Sequence, residues 1–481
     1  MSTTAPVAPL RTEQPPAVPG PRTGRRAVVW TAAAVALVLV LLGGMAVGGA
    51  SEAVPDGLSD PGPLVDQGAS VVTLIGRIAS VGTIGALLFA AVLLPGGAGT
   101  LAPSARRAAR AASVWALAWA VATALGAFLT VCRLVGRTPT SVPLSAVRVF
   151  LLDTGAGQAV LIVLALTLAV AAAARRCAGV LGAWVLLLAA VAALVVPAVL
   201  TGHSSTADDH LLAVTTLAVH VAAASLWIGG LGALLVFGRR DERLTTAVGR
   251  FSRLALLCLL ATGITGVVAA SVVLGGPAAV VDAVGTGYGW LLLGKTLGLV
   301  VLGVLGWQHR RRTVPQLAAG RPGAFRRLAV VEVFVMLATV ALAVALGSSP
   351  PPAAAAPTTA AVAGPASTGP ATSDPAAPAP AGTTPPPKAG GPMAGHDHGP
   401  LTVGVLVDGT RFHVAHPVAA GSRVSVFNGS GQQVTLTAAD GSFDVTVPAG
   451  SLMTFRAPDQ PGEHPFTSRH SASYADVLVV E

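Results

Sequence analysis

Blocks of about 20 apolar residues recur along this chain, and they restrict its fold more than any other feature. A helix needs about that many residues to cross the hydrocarbon core of a bilayer. Only helices and closed barrels satisfy their backbone there, and blocks of this length select helices. Nine stretches qualify: 27–49, 71–94, 111–132, 156–174, 178–200, 211–237, 252–274, 289–307 and 328–347. The pattern predicts an all-α polytopic membrane helix bundle. Charged residues make up 11% of the 481, against 53% hydrophobic. A soluble domain carries about 25% charged residues, so a water-soluble enzyme is excluded.

The net charge is +9. In a soluble chain that excess would suggest nucleic acid. Here the basic residues lie mostly between apolar blocks, which points to a lipid bilayer and to no nucleic acid. Alternate connections carry 20 arginines: Arg11, Arg22, Arg25 and Arg26; Arg106, Arg107 and Arg110; Arg175 and Arg176; Arg239, Arg240, Arg243, Arg250 and Arg253; and six between Arg310 and Arg327. The opposite connections carry Arg133, Arg137 and Arg148. By the positive-inside bias, residues 1–26 are a cytoplasmic tail and the C-terminus is extracytoplasmic. Arg25-Arg26 followed by an apolar run also fits a signal peptide, although the run is long for one. The later topology is the same in either case.

Residues 27–200 form a first membrane bundle of five spans, and 201–347 a second of four. Residues 348–400 are a Pro/Ala/Thr/Gly tract, which reads as a tether unable to bury a core. Residues 401–481 change again. Alternating runs (Leu401–Val407, Arg423–Phe427, Phe443–Val447, Ala475–Val480) stand between turn signals such as Asp408-Gly409, Asp440-Gly441 and Pro461-Gly462. They predict a small extracytoplasmic all-β sandwich or barrel. Cys132, Cys177 and Cys258 are far apart and read as buried hydrophobes, with no CxxC metal pair.

Ionisable groups inside spans are expensive and therefore informative. His220 lies deep in the sixth span, on one helical face with Thr216 and Trp227. At its outer mouth stands Thr201-Gly202-His203-Ser204-Ser205-Thr206-Ala207-Asp208-Asp209-His210. Imidazole suits copper and zinc, so His203, Asp209, His210 and His220 form a candidate metal path. The competing reading is a polar loop plus one hydrogen-bonded histidine. Lys295 and Arg77 read as residues near the outer surface that snorkel outward. Alternatively, Lys295 pairs with a carboxylate. Gly294 and Gly298 beside it suggest a close helix approach. Glu332 is expected to pair at the interface with Arg326 or Arg327, and Met336 one turn on reads as packing. In the tether, His396-Asp397-His398 is either a metal-capturing pair or a plain polar linker. His413 and His416 face opposite sides of any strand and are weak as a pair.

The sixth span, with His220 and Leu226-Trp227-Ile228-Gly229-Gly230-Leu231, resembles the corresponding helix of the CopD copper-resistance family. Arg250-Phe251-Ser252-Arg253, Thr262-Gly263-Ile264-Thr265-Gly266, Thr286-Gly287-Tyr288-Gly289-Trp290 through Lys295, the basic run at Arg310–Arg312 and a last helix with Glu332 extend the resemblance over about 211–347. Thr201-Gly202-His203-Ser204 resembles the family's outer loop. The resemblance implies a bacterial plasma-membrane protein that moves copper ions or hands them on, often beside an extracytoplasmic CopC-type copper-binding protein. His203, His210 and His220 are then the copper candidates. Trp227, Lys295 and Glu332 match family positions without an assigned role.

The C-terminal segment resembles a cupredoxin in Phe427-Asn428, Val447-Pro448-Ala449-Gly450 and Pro461-Gly462-Glu463-His464 through His470. A blue-copper site needs two His and one Cys, but Thr467 or Ser468 stands in the thiolate position. Electron transfer is therefore not expected. His464 and His470 remain as secondary metal candidates.

Copper transport is the leading expectation. The alternatives are a copper-delivery scaffold or assembly factor for a respiratory oxidase, and a haem-binding membrane redox protein. The last needs two axial histidines deep in the bilayer, where only His220 lies. No nucleophile–base set, Walker loop or dinucleotide fingerprint points to an enzyme.

Overall fold

The computed structural model describes residues 22–49, 62–135, 137–201, 207–239, 241–274, 276–349, 404–407, 411–414, 417–428, 430, 432–448, 451–469 and 471–481. The helices are α1 (Arg22–Val47), α2 (Pro63–Leu88), α3 (Pro103–Val135), α4 (Leu144–Asp153), α5 (Gly155–Ala174), α6 (Val180–Thr201), α7 (Ala207–Phe237), α8 (Leu244–Leu274), α9 (Pro277–Asp282), α10 (Gly287–Gln308), α11 (Val314–Ala318) and α12 (Pro322–Gly347). Among the described residues, nine helices are long and apolar enough to cross a membrane, matching the nine blocks. Several run past the blocks. Helices α2, α3 and α8 start at Pro63, Pro103 and Leu244, about two turns before the apolar stretches begin. Charged flanks end a hydrophobic run without ending a helix. Helix α4 was not expected, being too short to register as a span.

Local chemistry sets the helix starts. Proline stands in the first turn of α2, α9 and α12, where its missing N–H costs nothing. Thr154 and Thr286 cap α5 and α10, each accepting from a backbone N–H three residues on, at 3.0 and 3.1 Å. Two π-helical turns close spans at the arginine-rich end: Phe89–Leu93 after α2 and His309–Thr313 after α10. The Arg250 guanidinium donates to the Val92 and Leu93 carbonyls of the first turn, at 3.1 and 3.3 Å. This neutralises the negative end of that helix.

Helix α2 is central, packed against α3, α6, α7 and α12, while α1 packs on α12. Helices α2 and α7 approach each other closely. A Cβ on Gly85 would collide with the Gly229 backbone, and one on Gly229 with Val81 and Gly85. A Cβ on Gly230 would collide with the Phe251 ring of α8. The outward faces carry exposed apolar side chains such as Leu257, Ile264 and Val267 of α8, as a lipid-facing surface requires. Cys132 and Cys258 are buried and Cys177 is half-buried; none is in a disulfide.

The C-terminal part is a β-sandwich of two four-stranded sheets. One sheet has the order β2 (Phe412–Val414), β1 (Val405–Val407), β3 (Arg423–Asn428), β6 (Ser451–Arg456). The other has the order β5 (Asp444–Val447), β4 (Val434–Ala438), β7 (Gly462–Ser468), β8 (Ser471–Val480). Val405, Val426, Leu436, Phe466 and Leu478 fill the space between them. Phe427 leaves this core and packs with Val131, Val135, Ala146 and Phe150 of α3 and α4. The sandwich thus rests on the end of the bundle opposite the arginine-rich one.

Candidate functional site

The His220 ring is turned into the seam between α7 and α8. Its Nδ1 lies 3.1 Å from Thr265 Oγ1. The Thr265 hydroxyl donates its own hydrogen to the Ala261 carbonyl at 2.6 Å. Thr265 can therefore only accept from the ring, so Nδ1 carries the proton and Nε2 keeps its lone pair. The ring lies against Gly266 of α8, where a Cβ would meet His220 Cε1 at an ordinary contact of 3.5 Å. Thr216 and Trp227, on the same face of α7, are buried. Trp227 Nε1 and Thr262 Oγ1 are buried with no hydrogen-bond partner among the described residues. Polar atoms thus continue along the seam below His220. The Trp-x-Gly-Gly run has a packing role, because its glycines admit α2 and Phe251.

A free imidazole nitrogen fits copper, but the described surroundings supply no second ligand. Among the described residues no group of three His, Cys, Asp or Glu side chains could hold a metal. The charge of Lys295 reaches the His220 ring from α10, and Lys295 is half-buried. A positive neighbour opposes resident cation binding there. Gly294 and Gly298 next to it do receive α12, through Leu342 and Thr339.

Other sequence candidates fall differently. His203 lies outside the described residues, as do His396, His398, His416 and His470. Asp209 and His210 are in the first turn of α7, with side chains outside the description. Arg77 is about four turns into α2, with its side chain on an exposed face.

Glu332 requires a correction. It is buried on α12 and pairs with His309, not with Arg326 or Arg327, which are both exposed. His309 Nε2 and Glu332 Oε2 are 3.1 Å apart, yet neither atom makes an aligned hydrogen bond among the described residues. His309 Nδ1 lies 2.6 Å from Thr313 Oγ1, and the Phe325 ring covers the imidazole at 5.1 Å. The sequence placed His309 among cytoplasmic arginines. The signal available was a carboxylate in an apolar span, which needs a partner that the arginines beyond the span do not supply.

In the sandwich, both nitrogens of His464 are engaged. Nδ1 is 2.6 Å from Asp440 Oδ2, and Nε2 is 3.0 Å from the Gln460 carbonyl. Both partners accept, so the ring donates twice and offers a metal no lone pair. The Gln460 carbonyl and then Asp440 raise the His464 pKa. The hydroxyl and N–H of Ser442, then His464, hold Asp440 down to about 2. Ser468 lies 3.3 Å from the Thr435 N–H that donates to it. That link ties β4 to β7.

Neither curated proteins nor solved structures gave a match to the chain. One family model does match, and its range begins after α7, so His220 and the Trp-x-Gly-Gly helix lie outside it, while Thr265, Lys295, His309 and Glu332 lie inside. Residues 245–346, about a fifth of this multi-pass membrane protein, match the family described as CopD, Copper resistance protein D, and the chain therefore carries a copper-resistance-type membrane domain.

Proposed function

We propose that this protein moves copper ions across the plasma membrane in copper resistance and homeostasis, along the seam between α7 and α8. The observation that carries the reading is the orientation of His220. Its ring faces α8, the first helix of the CopD match, with Nδ1 against Thr265, so that Nε2 keeps a lone pair. One imidazole beside a positive Lys295 is a poor resident site, and that suits transport, where binding must be weak enough for the ion to leave. His203, Asp209 and His210 would gather the ion at the mouth. His396 and His398 on the tether, or a CopC-type partner, would deliver it. In this reading the functional unit is 201–347, which adds α7 to the matched residues.

The test is cellular copper on expression of the full chain and of His220→Ala at equal membrane abundance. The variant is expected to lose most of the difference that the wild-type chain makes. Equal copper content and equal tolerance would refute the path.

A second reading, a copper-delivery scaffold for a respiratory oxidase, is favoured by the sandwich seated on α3 and α4 through Phe427. Deleting residues 349–481 separates the two. A transporter keeps its flux, whereas a scaffold loses its function.

A further inference from the structure

We infer that His309 and Glu332 form a binding site for an exchangeable proton, buried near the arginine-rich end of the bundle. The geometry argues for it. The Thr313 hydroxyl has one hydrogen, and His309 Nδ1 at 2.6 Å and the His309 carbonyl at 3.3 Å compete for it. The other ring nitrogen, Nε2, faces Glu332 Oε2 at 3.1 Å. One proton between these two atoms keeps the pair neutral. It either stays on Oε2 beside a neutral imidazole, or the O–H bond breaks and an N–H bond forms at Nε2. Loss of that proton leaves a bare buried carboxylate, and gain of a second leaves a bare buried imidazolium. Both are costly in a dry interior.

The surroundings suit exchange with the arginine-rich side. The His309–Thr313 turn is π-helical, a distortion frequent at functional sites. Phe325 lies over the ring as a cover. The charged groups on the enclosing elements are elsewhere. Arg310 donates to the Ser252 carbonyl, Arg311 stacks on Trp307, and Arg312, Arg326 and Arg327 are exposed. On α8, Arg250 caps the turn after α2. Lys295 is about four turns away along α10. Arg239 closes α7 beside Arg326. The pair therefore answers to its own proton and to any cation that enters the bundle. Through charge, an incoming cation favours release of the proton, which would couple the two in opposite directions. That coupling rests on the copper-transport reading; proton binding does not.

The experiment uses the full chain in lipid vesicles, with infrared difference spectra recorded between ordinary and heavy water. A protonated-carboxyl band that shifts on exchange is expected in the wild type, absent in Glu332→Gln and altered in His309→Gln, with size-exclusion profiles confirming that each variant folds. Identical spectra in wild type and Glu332→Gln would overturn the site. Copper(I) flux in the same vesicles is expected to vary with pH by up to about tenfold per unit, the limit for one proton, and to lose that dependence in Glu332→Gln. Flux that ignores pH in the wild type would overturn the coupling while leaving transport intact. No flux at any pH, with the carboxyl band present, would refute the transport reading and leave the proton site standing.

Discussion

The sandwich and the bundle each hold a histidine–carboxylate pair, and the two solve opposite problems. In His464–Asp440 the carboxylate is largely exposed and both ring nitrogens have acceptors. Water shares the charge, so the pair is a clasp between a turn and β7. In His309–Glu332 both side chains are almost wholly buried, and the facing atoms have no aligned hydrogen bond. The same chemistry is ordinary in one place and expensive in the other, and a costly arrangement that persists in an apolar span points to use.

Breaking the buried pair should have the largest effect. Glu332→Ala leaves His309 without its counterpart and should cost about 3–5 kcal/mol, read as lost thermal stability in detergent. The double variant His309→Leu/Glu332→Leu should recover most of that, because no uncompensated charge remains. If the single and double variants melted alike, the pair would be packing and not electrostatics.

A smaller effect is expected at the seam. Lys295→Gln removes the positive charge acting on His220 and should tighten copper binding there severalfold, measured by competition with a chromophoric chelator. Unchanged affinity would mean that the ammonium does not act on the ion.

The smallest effect belongs to the exposed clasp. His464 has a raised pKa when folded, so its contribution is complete below about 6.5 and fades as pH rises through the folded value. Asp440 is lowered to about 2, so its contribution is complete above about 4 and fades as pH falls toward 2. The clasp is strongest between those limits. Relative to His464→Gln, the wild-type full chain should show a slightly higher melting midpoint at pH near 5.5 than at pH near 8, a difference close to detection because the carboxylate is solvated. A larger advantage at the higher pH would reverse the assignment.

The spans were legible because lipid imposes a length and a polarity that a sequence displays directly. Their true starts were not, since Arg106 to Arg110 already belong to α3 before the apolar pattern begins. Half of the strands stood out. β4 and β7 did not, because Thr435, Thr437 and Pro465 break the alternation that packing on Phe466 and Leu436 restores. His220 was legible as a buried imidazole in a greasy helix, but its partner Thr265 is 45 residues away. His309 was hidden by its three arginine neighbours, and Glu332 lies on another helix. Pairings across helices leave no trace in periodicity.

The turn at His309–Thr313 holds one residue more than a regular helical turn would. If the backbone reverted to regular α-helix there, every later side chain would swing by about 100° around the axis. Thr313 would leave the imidazole, and Nδ1 would lose its hydroxyl partner. The helix could thus dismantle its proton-holding corner by rewinding a single turn.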